Sequence, residues 1–166
     1  VVITITANSP PTDPEVMIQP DPAQTDDGLT AVIITPATDP DGDPLTYLYT
    51  WYVDGVFYGT GTSDTVPSSA TAKHQVWRVE VVATDGVWES ATAVDEITID
   101  NTPPSIEDVD ISPDSPSAED TLSCTYPGCF YLDGDAGHST FAWYVNGSWA
   151  GSSASPSGAF RSGDTV

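Results

Sequence analysis

Apolar and polar residues alternate along most of this chain with a period of two, the pattern of β-strands that bury one face. The alternation is clearest over Leu45–Val53, where the odd-numbered positions are Leu, Tyr, Tyr, Trp and Val. Asp-Gly pairs, which favour tight turns, separate the alternating segments, and no segment combines a helical period with helix caps. The pattern predicts an all-β fold in which seven strands come first, namely A (Glu15–Gln19), B (Leu29–Thr35), C (Leu45–Val53), C′ (Val56–Tyr58), E (Ser63–Val66), F (His74–Thr84) and G (Thr92–Ile99).

The chain also repeats itself. Four segments recur, namely Asn8–Pro11 as Asn101–Pro104, Ile18–Asp21 as Ile111–Asp114, Asp41–Asp43 as Asp133–Asp135, and Trp51–Gly55 as Trp143–Gly147. The offset is 93 residues for the first two pairs and 92 for the last two, so one residue is deleted between them. A period of this length fits one β-sandwich, and a core Trp on the third strand facing a Val-rich sixth strand is typical of the immunoglobulin-like sandwich. We therefore predict tandem immunoglobulin-like β-sandwich domains, with Trp51 and Trp143 buried at equivalent positions.

The repeat predicts the domain boundaries. Residues 1–8 are expected to be the last strand of a preceding repeat, because Val1–Ala7 aligns with Asp95–Asp100 in front of the second linker. Residues 9–101 are expected to form the first repeat and residues 102–166 the second.

The second repeat is expected to be incomplete. Its final residues, Asp164–Val166, match Asp64–Val66 of the first repeat, so strands F and G have no counterpart. One explanation, which we favour, is a longer continuous chain. The other is an exchange of strands between subunits, as in donor-strand filaments. Both explanations place the chain in an elongated multidomain assembly.

Four segments carry a resemblance to known proteins: Thr38–Tyr47, Trp51–Gly55, Val79–Gly86 and Asn101–Pro104. In these segments the chain resembles the bacterial Ig-like, PKD-like and cadherin-like tandem repeats of large secreted surface proteins. The resemblance implies extracellular stalks, adhesins or filaments, or spacers in secreted enzymes. It does not choose among them.

The charge of the chain is strongly negative. Asp and Glu number 25 against 3 Lys and Arg, which gives a formal net charge of -22. Binding to nucleic acid or to an anionic membrane needs clustered basic residues, and Lys73, Arg78 and Arg161 are scattered. No apolar run is long enough for a membrane helix, so we expect no membrane insertion. Divalent cations are the expected partners of such a surface.

Calcium is the cation that the sequence favours. Asp39, Asp41 and Asp43 occupy alternate positions of one tight loop, and clustered carboxylates supply the oxygen ligands of calcium. In an Ig-like sandwich Asp85 and Asn8 would lie beside this loop. An alternative of equal weight is a turn with solvated charges. A weaker site is predicted at the corresponding residues of the second repeat, Asp133 and Asp135, where Tyr131 stands in the place of Asp39.

Two modifications are predicted. Cys124 and Cys129 flank a Pro-Gly sequence, and a disulfide there would suit a secreted protein; two free thiols are the alternative. Asn146-Gly147-Ser148 matches a glycosylation sequon. The stronger interpretation of Asn146-Gly147 is a type I′ hairpin turn at the position of Asp54-Gly55.

The sequence contains no recognisable catalytic motif. His74 and His138 have no nucleophile at motif spacing, and neither a phosphate loop nor a nucleophile elbow is present. We therefore predict a non-enzymatic, structural or adhesive repeat of an extracellular filament or stalk that associates with itself. The alternative is a spacer or carbohydrate-binding module of a secreted hydrolase. Exposed aromatic residues could then stack on glycans, and the best candidates are Tyr52, Tyr58, Trp88 and Trp149.

Overall fold

The computed structural model describes residues 7–155 and 161–166 and is all-β. The chain divides into two compact units, Val1–Thr102 and Pro103–Val166. The strand predicted over Val1–Ala7 lies outside the described residues except for Ala7. The described residues contain no helix that is long and apolar enough to cross a membrane.

The first unit contains two sheets. Its strands are β1 (Glu15–Gln19), β2 (Ala23–Gln24), β3 (Leu29–Thr35), β4 (Thr46–Val53), β5 (Val56–Gly61), β6 (Thr65–Val66), β7 (Val76–Thr84) and β8 (Ala93–Asp100). One sheet has the order β1-β3-β6 and the other β2-β8-β7-β4-β5. Neighbouring strands are antiparallel except β2, which pairs in parallel with β8.

Both sheets contribute alternate residues to one core. Trp77, Val79 and Val81 of β7 are fully buried, as predicted from the period-two pattern. The core cluster also includes Ile18 of β1 and Leu29 of β3, so the two sheets share it. Burying apolar side chains of this size stabilises a fold by about 1.5–3 kcal/mol each.

The seven predicted strands A, B, C, C′, E, F and G are confirmed as β1, β3, β4, β5, β6, β7 and β8. Strand F begins two residues later than predicted, because His74 has a positive φ of 66° and ends the preceding turn. Strand E is reduced to Thr65–Val66 and is followed by a 3-10 turn at Ser68–Ala70. The short strand β2 was not predicted, since two residues carry no periodic signal.

The second unit contains shorter strands. These are β9 (Ser105–Ile106), β10 (Asp110–Ser112), β11 (Ser123–Thr125), β12 (Cys129–Phe130), β13 (Trp143–Val145) and β14 (Ser148–Gly151). They pair as β10-β11, β12-β9 and β13-β14. Trp143 is buried here as Trp51 is in the first unit, which confirms the predicted burial of both indoles.

The strand registers of the two units are the same. Ile111 pairs with Cys124 as Ile18 pairs with Ala31, at an offset of 93 residues. In the hairpin β13-β14, Tyr144 pairs with Trp149 as Tyr52 pairs with Phe57, at an offset of 92, and both hairpins carry a register shift just after the Trp.

A bulge explains the change of offset. In the first unit Val16 pairs with Ile33 but Glu15 pairs with Thr35, which leaves Ile34 as an extra residue. The second unit keeps one constant register from β10-β11 to β9-β12. The deleted residue is therefore the counterpart of Ile34, and its loss removes the bulge.

The alignment of Asp164–Val166 with Asp64–Val66 is wrong. Arg161 N donates to Asp164 Oδ2 at 2.8 Å, as Ala72 N donates to Gln75 Oε1 at 2.8 Å. Asn146 N then donates to Thr165 O as Asp54 N donates to Val76 O, both at 2.8 Å. The segment Arg161–Val166 is thus the counterpart of Ala72–Trp77, the turn that leads into strand F. The hydrogen bonds assign the segment to this turn, whereas the sequence match to Asp64–Val66 covers only three residues.

Candidate functional site

Three segments meet at one end of the first unit: the linker Asn8–Pro11, the loop Asp39–Asp43 and the loop Asp85–Trp88. Asn8 Nδ2 donates to Asp85 Oδ2 at 2.8 Å. Ser9 N donates to Asp41 Oδ2 at 2.7 Å. The structure therefore confirms that Asn8 and Asp85 lie beside the Asp39–Asp43 loop, and we call the three segments together the linker clamp.

Further hydrogen bonds hold the chain just after the linker. Thr12 N donates to Thr38 O at 2.9 Å, and Thr38 N donates to Thr12 Oγ1 at 2.7 Å. Ala91 N donates to Asp13 Oδ1 at 2.8 Å. Pro11, the residue before Thr12, is buried. The sequence did not identify Ser9, Thr12 or Asp13 as functional, because their partners lie 26 to 78 residues away.

The chain enters and leaves the first unit at opposite ends. The linker clamp lies where β7 ends at Thr84, whereas the exit lies where β7 begins, since Ile99 N donates to Gln75 O at 2.9 Å. Strand β7 has nine residues, which corresponds to about 30 Å between the two ends.

The Asp39–Asp43 loop is organised by its own backbone. Asp39 Oδ1 accepts hydrogen bonds from Asp41 N at 2.8 Å and Asp43 N at 3.1 Å. Gly42 N donates to Asp39 O at 3.2 Å, and Gly42 has a φ of 83°, which glycine adopts without strain. This is the Asp-based turn that was the alternative to a calcium loop.

The predicted calcium ligands do not converge. The described residues contain no group of three or more His, Cys, Asp or Glu side chains placed to hold a metal ion. Asp41 and Asp85 are turned to the linker and to backbone N–H groups. One observation fits a cation: Asp39 Oδ2 is buried and accepts no hydrogen bond from the described residues.

The second predicted cation loop has the same turn. Gly134 N donates to Tyr131 O at 3.3 Å, as Gly42 N does to Asp39 O. Tyr131 therefore occupies the place of Asp39, as the alignment predicted. Asp133 and Asp135 belong to no metal-binding group among the described residues.

Asp85 is the clamp residue with a perturbed pKa. Hydrogen bonds from the backbone N–H groups of Trp88 and Val87 lower the pKa of Asp85 below its ordinary value, and the bond from Asn8 lowers it further. The donors lie 2.6 Å and 2.7 Å from Asp85 Oδ1. They lower the pKa because the negatively charged carboxylate is a stronger hydrogen-bond acceptor than the neutral carboxyl group.

The predicted disulfide is not formed in the structure, where Cys124 and Cys129 are free. Cys124 pairs with Ile111 in β10, and Cys129 pairs with Ile106 in β9. A disulfide needs Cα atoms within about 7 Å. The pairing partners Ile111 and Ile106 lie five residues apart, so the two cysteines face different parts of the neighbouring segment.

Asn146 lies in the predicted type I′ turn. Asn146 and Gly147 have φ angles of 48° and 78°, matching 50° and 75° at Asp54 and Gly55. Asn146 Nδ2, the atom that a glycan would occupy, donates to Asp164 Oδ1 at 2.8 Å. The turn interpretation is therefore confirmed, and glycosylation would require this hydrogen bond to open.

No protein-family model matches the chain, and no curated protein sequence matches it.

Proposed function

We propose that the chain is part of a tandem array of immunoglobulin-like β-sandwich repeats. The strand orders β1-β3-β6 and β2-β8-β7-β4-β5 correspond to A-B-E and A′-G-F-C-C′ of such sandwiches. The observation that carries the proposal is the shared register of the two units, since sequence repeats with the same strand pairing are the signature of a repeat array.

The role we propose is structural or adhesive, extracellular and without catalysis. The chain enters and leaves the first unit at opposite ends, which suits a repeat that is arranged in series along a stalk or filament. The linker clamp supports this role, because hydrogen bonds to Asn8 and Ser9 restrict the joint in front of the unit. A net charge of -22 keeps such chains soluble and apart from nucleic acid.

Calcium binding at the linker clamp is part of the proposal. Its support is the buried oxygen Asp39 Oδ2, which a cation would satisfy. Asp41 Oδ2 already accepts a hydrogen bond from Ser9 N, so this oxygen would contribute only after releasing that bond. A cation there would stiffen the joint by neutralising repelling carboxylates.

A second candidate function is carbohydrate binding, and a repeated feature favours it. Tyr52 and Phe57 form a cross-strand aromatic pair with ring centroids 6.2 Å apart. Tyr144 and Trp149 occupy the same position in the second unit. Phe57 is 57% exposed and Trp149 67% exposed, so each hairpin offers a ring face on which a sugar could stack.

The location is tested on intact cells of the organism that makes the protein. Brief protease treatment followed by mass spectrometry should release peptides of this chain, together with known surface proteins and without cytosolic ones. Recovery of its peptides only after lysis would contradict an extracellular role. Binding of the purified chain to neutral polysaccharides, lost in Phe57→Ala with Trp149→Ala, would favour the carbohydrate-binding alternative instead.

A further inference from the structure

Asn146 differs from the other two asparagines of the chain, Asn8 and Asn101, in the residue that follows it. Ser9 follows Asn8, and its backbone N–H is already bound to a carboxylate of the linker clamp. Thr102, which follows Asn101, is β-branched. Asn146 precedes a glycine, and because glycine has no Cβ, the backbone nitrogen after Asn146 can approach the asparagine side chain without steric hindrance.

The type I′ turn exposes this Asn-Gly bond. Asn146 and Gly147 are both exposed, and no described atom lies within 4 Å of the place that a Cβ on Gly147 would take. The turn is closed by the pairing of Val145 with Ser148, so the N–H of Gly147 is not part of the closing hydrogen bond. The nitrogen that would attack the side chain is therefore not needed to hold the turn.

The side-chain amide of Asn146 joins the hairpin β13-β14 to residues 161–166. Its oxygen Oδ1 accepts from Thr165 N at 3.0 Å, and its nitrogen Nδ2 donates to Asp164 Oδ1 at 2.8 Å. The backbone N–H of Arg161 and the amide of Asn146 lower the pKa of Asp164 below its ordinary value. Asp164 is therefore a carboxylate at neutral pH, and we call this set of contacts the hairpin junction.

The first unit has the same junction with the two chemical groups exchanged. Asp54 Oδ1 accepts from Val76 N at 2.9 Å, and Gln75 stands in the place of Asp164. Each junction thus combines one carboxylate and one amide. A carboxylate in place of the Asn146 amide would face Asp164 at the distance of the present hydrogen bond, where like charges repel each other.

We propose that Asn146 is a deamidation site, at which loss of the side-chain amide weakens the hairpin junction. Gly147 N attacks Asn146 Cγ and loses its proton to water, the Cγ–Nδ2 bond breaks, and Nδ2 takes up a proton and leaves as ammonia. The cyclic imide that remains is then opened by water, which gives aspartate or isoaspartate. This inference uses the geometry of the turn and is independent of the proposed extracellular role.

The rate of amide loss tests the site. The purified, folded chain is incubated at neutral pH and body temperature, and its peptides are mapped by mass spectrometry. Asn146 should lose its amide at least about tenfold faster than Asn8 or Asn101, because only its neighbour lacks a Cβ. Equal rates at the three asparagines, or an intact amide at Asn146, would overturn the site without bearing on where the protein is located.

The effect on the hairpin junction is measured with Asn146→Asp, which carries the charge of the product. The backbone N–H at this position donates to Thr165 O, and its hydrogen exchange should become about tenfold faster as the junction opens more often. Combining Asn146→Asp with Asp164→Gln recreates the pair of Asp54 and Gln75 and should restore slow exchange. Unchanged exchange in the single variant, or fast exchange in the double variant, would contradict the weakened junction.

A second hydrogen bond of the same unit is the control for this measurement. Cys124 N donates to Ala154 O at 3.0 Å, away from the turn in sequence. Its exchange should stay the same in both variants, because the added charge acts on Asp164 alone. Faster exchange at Cys124 as well would mean that Asn146→Asp unfolds the whole unit, which would overturn a local effect at the junction.

Discussion

At the scale of single residues, Asp85 connects a loop to the linker. One of its oxygens organises Asp85–Trp88 through two backbone bonds, and the other accepts from Asn8. The sequence predicted that Asn8 and Asp85 would be neighbours, since the expected Ig-like topology would bring their loops together. It could not predict that Asn8 Nδ2 donates directly to Asp85 Oδ2, because that bond depends on side-chain rotamers.

Asn8→Ala should raise the pKa of Asp85 part of the way to 3.8. The rise is partial because the stronger contributions, from the N–H groups of Trp88 and Val87, remain. NMR titration of the Asp85 carboxyl carbon measures it. Asn101→Ala is the matched control, since Asn101 is the equivalent linker residue and bonds to Thr102 O. An Asp85 pKa that does not respond to Asn8→Ala would contradict the clamp.

The sign of the accompanying pH effect follows from the lowered pKa. Because the folded pKa lies below the unfolded one, the stabilisation is complete above the unfolded value and is lost as pH falls through the folded value. Asn8→Ala raises the folded pKa of Asp85, so the first unit should unfold at a higher pH when it is acidified. Its stability near neutral pH should change only by the loss of one exposed hydrogen bond.

At the scale of secondary structure, most strands of the first unit could be predicted because each buries one face and therefore alternates. Strand β7 is the clearest case, with Trp77, Val79, Val81 and Ala83 all buried. The position of Arg161–Val166 could not be predicted in this way. The sequence Asp-Thr-Val occurs twice, and the hydrogen bonds of Arg161 and Asn146 decide which strand the second copy belongs to.

The hairpin between β4 and β5 gives a direct test of turn chemistry. Gly55 has a φ of 75°, where a Cβ is strained although there is space for it. Gly55→Ala should destabilise the first unit by about 1–2 kcal/mol, measured by chemical denaturation. Gly59→Ala is the control in the same hairpin, because Gly59 has ordinary φ and open space around its Cβ position. Equal effects of the two substitutions would contradict the type I′ turn.

At the scale of the whole molecule, the same carboxylates have two opposing effects. They supply the turns and the linker clamp, yet a net charge of -22 makes the folded chain repel itself. Salt should therefore raise the melting temperature by screening alone. Any specific effect of calcium has to be separated from this general one. The separation requires comparing calcium chloride and sodium chloride at equal ionic strength.

Calcium should raise the melting temperature of the first unit beyond the effect of sodium chloride, because an ion that binds only the folded state stabilises it. At about ten times the dissociation constant the gain is about 1.4 kcal/mol, which corresponds to roughly 7 °C for a domain of this size. Asp39→Asn should abolish this excess, since Asp39 Oδ2 is the oxygen that the cation would satisfy. Asp114→Asn removes one exposed charge elsewhere and should preserve it. If calcium and sodium chloride act alike on the unaltered chain, the Asp39–Asp43 loop is a turn held by its own backbone, and it contacts Ser9 through a hydrogen bond without a cation.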